Sequence, residues 1–300
     1  MRSAFHALAL GLFGLTSAAS AQDADLIFGE RTAALAMDAH CDLFTDRQRA
    51  ALDAARLQAR GALLRSGIAP GRIQAYGDEI AAEAGSQDCD SAEILAMRDR
   101  VLTAFEGYLR VGNMTFPGIA FSWFANRQIL TDEPVWALLQ DTGRIRAGIS
   151  RVDGDISFTI ALPDSGEYIS AILVMRDPQR APELYDPTMG GMFAGPASAS
   201  WAQWTPPEFA RRLVWASDQM DGPAADALAG ASQGHVFRFP PSVVQQLGQL
   251  DPRETARIDL MDRNGERVAS DYFEIGDFAA AIAFLRAAIS DASQIDLPES

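Results

Sequence analysis

Lysine is absent from this chain: all 25 basic residues are arginine. That excludes chemistry built on an ε-amine, including the P-loop, Schiff-base catalysis and Ser-x-x-Lys acyl transfer. Histidine is scarce, with only His6, His40 and His235. Neither of the last two stands in an H-E-x-x-H or H-x-x-E-H spacing, so no zinc site is expected. Positive charge is also short, and a formal net charge of −15 repels nucleic acid and anionic surfaces on average. No nucleic acid partner is therefore expected. Downstream of the first residues no stretch approaches the roughly 20 apolar residues of a membrane span. Even Ala279–Leu285 is flanked by Asp277 and Arg286.

What is present begins with an address. Met1-Arg2, an apolar stretch from Ala4 to Leu15 and the small-residue box Ala19-Ser20-Ala21 have the layout of a cleaved export signal over residues 1–21. The mature chain is expected to start near Gln22 and to work as a soluble periplasmic or secreted protein. Cys41 and Cys89 are the only cysteines. An even count in an oxidising compartment predicts a disulfide between them, closing a loop worth roughly 4 kcal/mol on the chain-entropy model.

The periodicity divides the remaining chain in two. Residues 22–112 read as helical, with a first helix over about Glu30 to Phe44. Thr45-Asp46-Arg47-Gln48 is a capping box opening a second helix that runs to Arg65 and stops at Gly67. Pro70 suits the first turn of a third, with Ile73, Tyr76, Ile80 and Ala84 on one face and an end at Gly85. Asp90-Ser91-Ala92-Glu93 opens a fourth, whose stripe is Ile94, Met97, Val101, Phe105 and Leu109 before Gly112.

From residue 113 onward the period changes to two. Alternation over Arg144–Ser150, the turn Asp153-Gly154, a strand at Ile156–Leu162 and another at Tyr168–Met175 predict a three-stranded antiparallel meander. Further strands are expected at Arg212–Ala216 and on either side of Asn264-Gly265, with helices at Pro241–Leu247 and Asp277–Ile289. The expected fold class is α+β: a disulfide-linked helical bundle (22–112) followed by a β-rich, sandwich-like domain (113–300) with a C-terminal helix.

Candidate chemistry is thin. Gly230-Ala231-Ser232-Gln233-Gly234 fits the G-x-S-x-G elbow of serine hydrolases, but a helix-like segment precedes it and a strand-like one follows, the reverse of what an elbow needs. His235 is too close in sequence to curl back onto Ser232. Asp262-Arg263-Asn264-Gly265-Glu266 has the alternating oxygens of a calcium loop yet lacks the acid at position 12, and reads as a hairpin turn. Gly190–Gly195 is not a strand-to-helix phosphate cradle. No catalytic, metal or cofactor residue is assigned. Aromatic residues remain: Phe116, Phe121, Trp123 and Phe124 at the junction of the two segments, and Trp201, Trp204 and Phe209 in a Pro-rich stretch, the last three forming a candidate binding surface.

The last 60 or so residues, with Ala256–Met261, the Asn264-Gly265 turn, the strand to Phe273 and then Gly276-Asp277-Phe278-Ala279-Ala280-Ala281, resemble the close of the invasion-associated locus B family. That resemblance implies an exported bacterial protein with a β-sandwich whose final strand runs into a helix, and an envelope role without catalytic residues. The functional expectation is a binding or assembly module of the cell envelope, with an envelope protein or polymer as partner. The alternative is an envelope hydrolase acting on glycan or peptide.

Overall fold

A computed structural model describes residues 21–127, 134–163, 166–182 and 206–287. The helical segment forms α1 (Ala21–Cys41), α2 (Asp46–Arg65), α3 (Pro70–Ala84) and α4 (Ala92–Leu109). The expected caps are in place. The Thr45 N–H donates to Gln48 Oε1 at 2.8 Å, Pro70 occupies the first turn of α3, and Ser91 Oγ accepts from the Ile94 N–H at 3.3 Å.

The first helix is a correction: it covers Ala21–Cys41, not Glu30–Phe44. Burial of Ala24 and Phe28 beside Ile73 holds its early turns. Its end is set by Asp42, which takes a positive φ of 50°, and by Asp38, whose carboxylate accepts the N–H groups of Leu43 and Phe44. A side chain five and six residues back thus caps the helix and bends the chain toward α2.

The remaining chain builds two antiparallel sheets. The strands are β1 (Asn113–Pro117), β2 (Ser122–Asn126), β3 (Val135–Asp141), β4 (Arg146–Val152), β5 (Asp155–Leu162), β6 (Ser170–Arg176), β7 (Arg211–Trp215), β8 (Asp218–Met220), β9 (His235–Phe239), β10 (Thr255–Met261) and β11 (Arg267–Glu274). Three helices accompany them: α5 (Pro223–Ala229), α6 (Ser242–Gly248) and α7 (Phe278–Arg286). The larger sheet has the order β1-β2-β3-β4-β5-β9-β8 and the smaller β11-β10-β6-β7. Phe158 and Ile160 of β5, Phe237 of β9, Leu173 of β6 and Ile258 of β10 meet in one core. This is the sandwich arrangement, α+β in class, with one helical segment before it and one helix closing it.

The expected three-stranded meander is only two-thirds right. β4 and β5 pair across Asp153-Gly154, with Ile149 opposite Phe158, but β6 does not continue the ladder. It crosses to the other sheet and pairs with β10 and β7. The free edge of β5 is taken by β9, with Ile160 opposite Phe237. Alternation reports which side of a strand is buried; it carries no information on which sheet receives it.

The helical segment is also not a separate body. Ala54 of α2 and Tyr108 of α4 belong to the same apolar cluster as the sandwich, because both pack with α7. The contact is pinned by Arg65 of α2, which donates from Nη1 to Asp277 Oδ1 at 2.6 Å and from Nη2 to Oδ2 at 2.8 Å. Asp277 is fully buried at the head of α7. A side chain at Gly61 would overlap Asp277 Oδ1, so a mid-helix glycine is the requirement for this approach. The stretch before α7 is held equally hard. Glu274 accepts the N–H groups of Ile119, Ala120 and Phe121, Gln140 bonds both backbone groups of Glu274, and the Trp123 indole donates to the Ile275 carbonyl at 2.7 Å.

Burial pushes the Asp277 carboxyl up to about 6, with Arg65 opposing the shift. A carboxyl with a raised folded-state pKa binds its proton more tightly in the fold than in the unfolded chain. Its contribution to stability is therefore fully present below the ordinary pKa near 4 and is lost as pH rises through 6. Urea unfolding between pH 4 and pH 7 should show a loss of about 2 kcal/mol from this group. The Asp277→Asn variant should lack that component; identical pH profiles in the two proteins would contradict the assignment.

Candidate functional site

The four N-terminal helices pack unevenly. α1 lies along α2 and shares an apolar core with α2 and α3, where Phe28 and Tyr76 ring centroids are 6.2 Å apart, while α2 also sits against α7 and α4 touches α1 and α2 only lightly. α4 is fixed at its two ends. At its start, Cys89 just before the helix is bonded to Cys41 at the end of α1, as the cysteine count predicts, with the Cα atoms 5.6 Å apart. At its end, Tyr108 meets Phe284 of α7 edge-on at 5.6 Å, and the Arg127 guanidinium lies over both rings, 4.4 Å from Tyr108 and 3.5 Å from Phe284. Burial raises the Tyr108 phenol to about 12.

Between these anchors the α4 stripe is unevenly buried. Ile94 and Tyr108, near the ends, are 1% and 4% exposed, whereas Met97, Val101 and Phe105 are only half-buried. Those three border a half-open groove of about 720 Å³ lined by all four helices. The opposite walls include Met37 of α1, Leu52 and Ala55 of α2, and Ile80 of α3. The volume falls in the ~300–1,000 Å³ range of pockets that bury small ligands, and an apolar lining with a few polar groups is the usual composition of such a site.

The charged residues of the lining are Glu30, Arg31, Glu83, Glu93 and Arg100. Glu83, Glu93 and Arg100 are exposed, while Glu30 and Arg31 are half-buried. Desolvation lowers the Arg31 pKa, and the charge of Glu30 offsets part of that shift. Tyr76, also in the lining, has its phenol raised by burial and by Asp25 and Glu79.

The residues singled out in the sequence lie elsewhere. Trp201 and Trp204 fall outside the described residues, as do the glycines of 190–195 and the export signal over residues 1–20. Phe209 sits on a short 3-10 turn, 58% exposed, and is not near the cavity lining. Phe116 and Trp123 are buried against α7, with Phe116 on Phe284 and Trp123 on Phe278, so they form the seam and not a surface; Phe124 is 46% exposed.

The glycine-flanked serine is a loop. α5 precedes it, Gly230 ends that helix in a left-handed conformation, and β9 follows, so Ser232 stands exposed after a helix and before a strand. His235 points its Nδ1 toward Asp221 at 3.4 Å without the geometry of a hydrogen bond, and packs on Tyr168. His40 is exposed beside the disulfide, where both neighbouring sulfurs are already bonded to each other. Asp262 is the turn residue expected, accepting the N–H groups of Asn264 and Glu266.

The cavity itself went unread in the sequence. Its signal was present as alanine: Ala33, Ala51, Ala55, Ala96 and Ala104 line it from three helices. Small side chains bring helices together when they face each other closely and leave space when the helices are held apart at fixed points. Only the second condition, set by the disulfide and by Tyr108, makes them cavity walls.

Removing the tether tests this account. In the Cys41→Ala/Cys89→Ala variant the unfolding free energy should fall by roughly 4 kcal/mol, and hydrogen exchange should rise first in α4. Unchanged α4 protection would show that the helix is held by other contacts.

Comparison with protein-family models, with curated proteins and with solved structures gives no match for this chain.

Proposed function

We propose that this chain is an exported binding protein of the bacterial envelope that takes an apolar ligand into the cavity between α1, α2, α3 and α4. The observation that carries the reading is the half-open, mostly apolar groove of about 720 Å³ between the four helices, along which Met97, Val101 and Phe105 remain only half-buried although they also pack against apolar clusters of the fold. Apolar groups kept inside a fold yet left without full packing forgo contacts, and a ligand restores them. The sandwich then serves as the rigid body to which α2 is clamped.

The extracytoplasmic part of the reading rests on three supports: the tripartite layout of residues 1–21, the disulfide, and the likeness of the C-terminal segment to an exported envelope family. Among the described residues no helix is long and apolar enough to cross a membrane. The ligand would be an envelope component with an apolar part.

Titration with a neutral apolar fluorophore such as N-phenyl-1-naphthylamine tests the reading. The purified chain should enhance and blue-shift its emission. The Ala55→Trp variant, which fills the cavity from the α2 side, should weaken binding about tenfold or more while leaving the circular dichroism spectrum intact. No enhancement with the wild-type protein would overturn the proposal.

A further inference from the structure

The sandwich has four outer strands, β1 and β8 in the larger sheet and β11 and β7 in the smaller. Three of these edges are blunted. β1 ends at Pro117, whose carbonyl accepts the Asp277 N–H, and β8 is three residues long. β11 carries Arg267, Asp271 and Glu274, and the Gln140 side chain already bonds the N–H and C=O of Glu274. Short strands, proline, charge and side-chain cover are the usual means of keeping an edge from pairing with another chain. β7 is different. It has no proline and no acid, its Arg212 is tied to Asp177, and Leu213 and Trp215 are 57% and 54% exposed.

The ladder fixes what this edge offers. Asp177 donates its N–H to the Ala210 carbonyl and Ala216 its N–H to the Ala171 carbonyl, both at 2.8 Å, so the even-numbered residues of this stretch turn their backbone groups toward β6. Arg211, Leu213 and Trp215 alternate with them and turn N–H and C=O outward. Among the described residues no strand receives these groups. The same three side chains share the face of the sheet away from the core, since Val214 between them packs inward.

We propose that this edge pairs with the same edge of a second copy, antiparallel and centred on Leu213, so that one continuous sheet runs through a two-fold dimer. A second copy is the occupant because the strand is complementary to itself. In that register Leu213 faces its own counterpart, Arg211 of each copy faces Trp215 of the other, and every outward N–H meets an outward C=O. The guanidinium of Arg211 pairs with no carboxylate among the described residues, and an indole face opposite it supplies a cation–π contact. No arginine stands opposite an arginine, as an in-register parallel alignment would require. The formal net charge of −15 opposes association in general, and β7 brings to the contact two arginines and no acid. A contact that uses the same patch on both copies closes on itself and stops at two. None of these residues lines the groove between the helices, so the dimer and the ligand reading stand or fall separately.

Sedimentation velocity over about 1 to 300 µM, the range suited to a small and weak interface, should take the wild-type chain from monomer to dimer. The Leu213→Pro variant loses an outward N–H and none of the bonds to β6. It should weaken the dimer about tenfold or more with an unchanged circular dichroism spectrum. Opposed residues of a hydrogen-bonded antiparallel pair have Cα atoms about 5.5 Å apart, within disulfide reach. Under mild oxidation the Leu213→Cys variant should therefore form a covalent dimer. The Val268→Cys variant, equally exposed on the far edge of the same sheet, should not. A wild-type chain that stays monomeric throughout, or a dimer that forms as readily with Leu213→Pro, rules the pairing out. Equal cross-linking of the two cysteine variants does the same. The cross-link is read without the proline variant, so misfolding of that variant leaves the test intact.

Discussion

α7 is a nine-residue helix with seven buried residues and no polar face, and a helix apolar all round has to be surrounded. The sandwich covers one side of it through Trp123 and Phe116; α2, the end of α4 and α6 cover the rest. The N-terminal helices are therefore not an appendage to the sandwich but the missing wall of its last helix. Asp277 and Arg65 fix where that wall begins, and Gly61 allows the two helices to come close enough for the pair to form. The energetic weight lies in the apolar surface, because a buried ion pair returns little beyond its desolvation cost; the pair sets position.

Committing α2 to α7 shapes the rest of the bundle. A helix that spends one face on the sandwich keeps its other face for α1, and α3 joins that pair in a second apolar core. α4 is left to bridge the gap with a disulfide at its start and an aromatic clasp at its end. Between those anchors α4 touches α1 and α2 only lightly, through Met97, Val101 and Leu102, and leaves a half-open groove alongside. The groove follows from that, with the half-buried Arg31 and the exposed Arg100 on its lining. Candidate function in this chain thus arises from incomplete packing, held in place by covalent and aromatic anchors, and not from a catalytic constellation.

The helical segment was legible because its punctuation is local. Thr45 with Gln48, Pro70, Gly67 and Ser91 each act within one turn, so a short window contains the whole cause. The hairpins at Asp153-Gly154 and Asn264-Gly265 were legible for the same reason. The crossing of β6 to the second sheet was not, since it depends on β9 having already taken the edge of β5 some 75 residues away in sequence. The end of α1 was missed because its cap is a side chain, Asp38, acting on amides beyond the helix. Strands β1, β2 and β3 lack clean alternation: Gln140 faces inward to hold Glu274, and Phe124 faces outward.

Composition and order along the chain determined the class of this protein: an α+β molecule whose two cysteines pair, whose missing lysines remove whole mechanisms, and whose local caps set most helix ends. These are properties of short stretches or of the whole sum, and they survive without coordinates. Tertiary structure decided which sheet each strand joins, that bundle and sandwich share one core around α7, and that alanines of all four N-terminal helices border a groove. Each of those depends on distances between residues far apart in sequence, and no periodicity encodes a distance that two anchors impose from outside the segment.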